Sequence, residues 1–95
     1  MTTDFLIDGM LSGTGLRDAR EGGYVEPMAL GLSASLSSDV AAWQRRYEAA
    51  HFADFPEQVV GDLDKEGLVL ASRAQTELRG KTIGYFSNGL MKRLD

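Results

Sequence analysis

The residue runs of this 95-residue chain that could do chemistry are few, and each lacks a ligand or a partner. Asp62-Leu63-Asp64-Lys65-Glu66-Gly67 sets oxygen ligands at the first, third and fifth positions of a calcium loop, with glycine at the sixth. Such a loop closes on a bidentate carboxylate at its twelfth position, which here is Arg73. Glu48-Ala49-Ala50-His51 has the Glu-x-x-His spacing of di-iron carboxylate bundles, which need two such motifs and further Glu ligands, and His51 is the single histidine. A Ser-His-Asp triad would have to use the same His51, without any Gly-x-Ser-x-Gly elbow to expose a nucleophile. Gly9, Gly13 and Gly15 run into Leu16-Arg17-Asp18 rather than a third glycine or a Gly-Lys-Ser/Thr ending, so they do not make a phosphate loop. There is no cysteine to serve as thiolate ligand, nucleophile or disulfide. The expectation is a non-enzymatic protein with no catalytic residue, no metal site and no cofactor.

Surface is what remains to carry function. The stretch Ser12–Gly23 is longer than a hairpin requires and presents Arg17, Asp18, Arg20 and Glu21. Residues 48–66 carry Glu48, Asp54, Glu57, Asp62, Asp64 and Glu66 against Lys65 alone, whereas residues 67–95 carry five basic and two acidic groups. An acidic block in a chain of net charge −4 disfavours nucleic acid, which calls for a clustered basic face. It suits a basic protein partner. The predicted partner-binding set is Arg17, Asp18, Arg20 and Glu21 from the loop, with Glu57, Asp62, Asp64 and Glu66 from the acidic block.

The elements that must position these residues follow from periodicity. Asp4–Leu11 is short, apolar and bounded by glycine, which predicts a strand with Phe5, Ile7 and Leu11 on one face. Tyr24–Leu30 is the second strand, placed at an edge because Pro27 removes a ladder donor. Leu36, Val40, Trp43, Tyr47 and Ala50 recur at helical spacing behind Ser33 as N-cap, with Ser37, Ser38 and Asp39 as alternatives for a frayed start, in a helix ending near Phe52. Pro56 opens a second helix, whose stripe of Val60, Leu63, Gly67, Leu70, Ala74 and Leu78 stops at Gly80. Gly67 on that stripe predicts a close approach of the first helix, at Trp43 or Tyr47. Lys81–Ser87 is a third strand, Ser87-Asn88-Gly89 a turn, and Leu90–Leu94 a short helix in preference to a return strand. The predicted fold class is α+β: a single small β-β-α-α-β domain over residues 1–95. A three-stranded sheet, its first strand in the middle, packs against an antiparallel helix pair.

Composition agrees with one folded domain, 43% hydrophobic and 25% charged. No run approaches the ~20 apolar residues that span a bilayer, and Met1-Thr2-Thr3-Asp4 lacks a signal peptide's basic start, so a cytoplasmic location away from membranes is expected. The chain resembles an uncharacterised family of small bacterial proteins. The resemblance rests on Ser12–Asp18, Glu21-Gly22-Gly23-Tyr24, Leu32-Ser33, Trp43, Tyr47-Glu48-Ala49-Ala50-His51-Phe52, Leu63–Gly67 and Tyr85-Phe86-Ser87. In size and acidity it is similar to the immunity proteins that neutralise bacterial toxins. That resemblance implies a protein that binds a toxin or other basic partner by steric occlusion aided by charge, and it carries no catalytic residue. The alternative is a small homo-oligomer, a homodimer for example. It would use Leu68, Val69 or the edge strand as interface, with a ligand site between subunits.

Overall fold

The computed structural model describes residues 2–95. In chain order the elements are β1 (Phe5–Asp8), β2 (Leu16–Asp18), α1 (Pro27–Leu30), α2 (Ala34–Phe52), α3 (Glu57–Glu77), β3 (Ile83–Ser87) and β4 (Lys92–Arg93). The class is α+β, with a four-stranded mixed sheet where three strands were expected. Its order is β2-β1-β3-β4, with β1 parallel to β3 and both outer pairs antiparallel.

The two long helices form where the apolar spacing puts them. Ser33 caps α2, its Oγ accepting from the Leu36 amide at 3.1 Å. Leu36, Val40, Trp43, Tyr47 and Ala50 are all buried, as are Val60, Leu63, Gly67, Leu70 and Ala74 of α3. These stripes meet Phe5 and Ile7 of β1, Leu16 of β2, and Ile83 and Tyr85 of β3 in a single core. The Trp43 indole N–H donates to the Leu63 carbonyl at 2.8 Å, fixing one helix against the other.

Five details depart from the sequence reading. Tyr24–Leu30 is not a strand: Tyr24 makes one isolated bridge to Arg17, and Pro27 starts α1. The locked φ of proline suits a first helical turn, and Gly31, at φ 103°, ends the helix in the left-handed region. The second strand lies instead inside the expected loop, at Leu16–Asp18. Leu90–Leu94 holds a turn and the short β4 rather than a helix, because the chain reverses at Asn88-Gly89 and re-pairs Lys92 with Ser87. Gly67 makes room for Tyr85 of the sheet, whose ring a Cβ there would overlap, and not for Trp43 or Tyr47. Leu11, expected on one face of the first strand with Phe5 and Ile7, is an exposed turn residue.

Candidate functional site

Parallel pairing brings the carboxyl ends of β1 and β3 side by side, and polar side chains gather there. Ser87 ends β3 and Asp64 faces it from α3; both are buried. The Asp64 carboxylate accepts from Tyr47 Oη at 2.9 Å, Tyr85 Oη at 2.5 Å and Ser87 Oγ at 2.7 Å. The same hydroxyls receive backbone N–H groups from the turn that follows, Gly89 to Tyr47 Oη at 2.9 Å and Leu90 to Ser87 Oγ at 3.1 Å. Burial, and for Tyr85 also its bond to Asp64, pushes both phenols above the ordinary tyrosine range. They remain neutral donors to the carboxylate.

A second buried carboxylate, Asp8, ends β1. It accepts from the Met10 amide at 3.1 Å and from the Asn88 side-chain amide, and Arg17 Nε lies 3.1 Å from its other oxygen. The Arg17 guanidinium also covers the Phe86 ring, 5.1 Å from its centroid. Desolvation raises the Asp8 pKa despite Arg17 and its hydrogen bonds, and desolvation and the nearby Asp8 push the Tyr24 phenol up to about 12. Both carboxylates are thus saturated by the chain's own donors, and they tie the strand ends to α2, α3 and β2.

Outside these clusters, three turns make up one end of the molecule. His51 Nε2 lies 2.9 Å from the Gly9 carbonyl and Glu48 accepts from the Ser12 amide at 2.9 Å, so the end of α2 sits over the β1–β2 turn. Phe55, Val60, Gly89 and Leu90 line one shallow cavity, so the α2–α3 turn adjoins the β3–β4 turn. Among the described residues, Met10, Leu11, Met28, Phe52, Val59, Val69, Leu90 and Met91 are the large apolar side chains left exposed. Six of them, all but Met28 and Val69, lie at this end; Phe52 is 82% exposed. The four described non-glycine residues with left-handed backbone lie there too: Ser12, Asp54, Phe55 and Met91. Each such residue costs about 1–2 kcal/mol relative to right-handed backbone.

The structure separates the predicted site residues. Asp18 accepts from the Arg20 and Glu21 amides at 2.9 and 3.0 Å, which shapes the loop, and these bonds hold its pKa below the usual carboxylate range. Arg20 pairs with Asp4, and with Glu21 it lies beside Lys81, at the end where α3 has finished. Glu57 and Asp62 are exposed near the start of α3, at the other end of that 21-residue helix. Glu66 is held in a bidentate pair by Arg46, both bonds 2.6 Å. Asp64 is not a surface residue: it is 5% exposed, at the centre of the hydroxyl cluster. Arg17 is tied to Asp8 rather than displayed. The predicted loop residues and the predicted acidic residues of α3 therefore do not form one surface, although Glu48 bonds the Ser12 amide at the start of the loop. Sequence reasoning missed Asp8, Tyr85, Ser87 and Asn88 because the strand pairing that assembles them joins positions about 80 residues apart. It also missed the apolar end, although the turn signals at Gly9, Phe55-Pro56 and Asn88-Gly89 mark its three parts.

No family model, curated protein or solved structure matches this chain.

Proposed function

We propose that this chain is a non-enzymatic protein-binding domain whose contact surface is the three-turn end. One observation carries the reading: six of the eight exposed large apolar side chains of the described residues gather there. Isolated exposed apolar residues are ordinary, but a group of them beside polar neighbours suits an interface core. The strained backbone at Ser12, Asp54, Phe55 and Met91 supports it, since conformations of this cost persist where a surface must hold its shape. Asp54, Glu57 and Asp62 border the patch and make no salt bridge among the described residues, which favours a partner whose apolar pocket is rimmed by lysine or arginine. In its most specific form the domain is an immunity-type inhibitor that occludes a bacterial toxin.

The test is capture from cells of the native organism with wild type, Phe52→Ser, Leu90→Ser and, as control, Val69→Ser. A specific partner retained by wild type and V69S but lost by F52S and L90S supports the reading. Retention by all four removes this end from the function. Light scattering on the wild type covers the alternative: a dimer at tens of micromolar that F52S makes monomeric would identify the occupant as a second copy.

A further inference from the structure

A cleft of about 520 Å³ runs along the flank of α2 beside its core-facing stripe, lined also by Pro27–Met28 of α1 and by Gly13–Thr14. Two of its lining residues, Ser37 and Gln44, are 9% and 4% exposed, and they sit seven positions apart on the same helical face. The Gln44 Nε2 donates to the Met10 carbonyl at 2.7 Å. A carbonyl only accepts, so this bond fixes the amide's orientation and leaves Oε1 as the remaining group. Among the described residues, Gln44 Oε1 and Ser37 Oγ are the buried side-chain polar atoms with no hydrogen-bond partner, and both belong to the lining of this one cleft. Native proteins pair nearly all such groups; the Gln44 oxygen can only accept and the Ser37 hydroxyl can accept as well as donate, so an N–H donor suits both.

The rest of the lining says which donor. Glu26 and Glu48 stand on it against Arg45 alone, so the cleft is net negative and its unmet need is for N–H groups. We propose that the cleft binds a small organic cation bearing N–H donors, an alkylammonium or alkylguanidinium. Its N–H groups satisfy Gln44 Oε1 and Ser37 Oγ, and its charge lies toward Glu26 and Glu48. Neither oxygen is open to solvent, so binding requires the wall over them to move. Anions meet an acceptor surface and are excluded. The cleft adjoins the β1–β2 turn through Gly13 and Glu48 but holds none of the six exposed apolar side chains of the three-turn end, so its failure leaves the protein-binding reading untouched.

The experiment is a titration of ¹⁵N-labelled full-length protein with methylguanidinium and butylammonium chloride. Tetramethylammonium serves as a cation of similar charge without N–H. The expected result is saturable movement of the Gln44 side-chain amide and Ser37 backbone signals, with Kd on the order of millimolar. Tetramethylammonium should leave them in place. Ser37→Ala removes an unpaired oxygen and suits a helix, so it should keep the fold while weakening binding about tenfold. Equal shifts with tetramethylammonium, no saturable shift with either N–H cation, or an unchanged Kd in S37A would each overturn the proposal.

Discussion

At the scale of single residues the two buried carboxylates do different work. Asp64 has three hydroxyl donors and, among the described residues, no cation paired with it. Removing it strands Tyr47, Tyr85 and Ser87 together, so Asp64→Ala should cost about 3–5 kcal/mol, read by urea denaturation. Asp8 is set by desolvation, and its folded pKa is raised above the unfolded value of 3.8. Its folded state therefore holds the proton more tightly, and its contribution to stability falls as pH rises from about that value through the raised one. The Asp8→Asn protein lacks this titration, so its stability deficit should be larger at pH 4 than at pH 7. A deficit that grows with pH would show that Arg17 outweighs burial. Met91 sits at φ 56° with its side chain 68% exposed. Met91→Gly should stabilise the fold by about 1 kcal/mol while weakening partner binding, a pairing of effects that packing alone does not produce.

At the scale of elements, glycines on α3 give opposite forecasts. A Cβ at Gly61 meets open space, so Gly61→Ala should gain about 1 kcal/mol from helix propensity. The same change at Gly67 gains that amount too, but drives a methyl into the Tyr85 ring, and overpacking should win by about 2 kcal/mol. Thermal melts of the two variants, moving in opposite directions, check this. Ser33 joins α2 to the end of α3, because its amide and hydroxyl both donate to Glu77, at 2.7 and 2.8 Å. These bonds hold the Glu77 pKa below its usual value, so the clamp is present near neutrality and lost as pH falls. Both long helices were legible in the sequence because a dozen residues at 3.6 spacing leave little choice. The Ser33 cap was legible for the same local reason. β2 and β4, of three and two residues, were not, since strands so short carry no alternation and exist only because β1 and β3 offer edges. Tyr24–Leu30 was misread because Pro27 is compatible with both an edge strand and a helix start.

At the scale of the whole molecule, the sheet divides polar duties between its two ends. The end where β1 and β3 begin is closed by loop bonds such as Arg20 with Asp4 and the Asp4 carboxylate with the Thr82 amide at 2.9 Å. The opposite end keeps the Asp8 and Asp64 carboxylates inside and large apolar side chains outside. That inversion was invisible in the sequence, where Asp64 counts as one more acid in an acidic block and Phe52 as the last residue of an amphipathic helix. Contact at the three-turn end should be salt-sensitive only through Asp54, Glu57 and Asp62. Replacing Asp62 by Lys should slow association at low salt by several fold and leave dissociation nearly unchanged, as read by stopped-flow mixing with the captured partner.

The pairing of β1 with β3 also sets the order in which the chain reaches its native state. Its ladder, extended by the Asp4–Thr82 contact, joins residues 78 apart, whereas the α2–α3 hairpin closes over a four-residue connection. Loop-closure entropy favours the hairpin first, with the strands zipping onto it afterwards, so the sheet centre should form late, after the rate-limiting step. Mutations at the Trp43–Leu63 helix contact should then slow refolding, while those at Leu6 or Ile83 should mainly hasten unfolding.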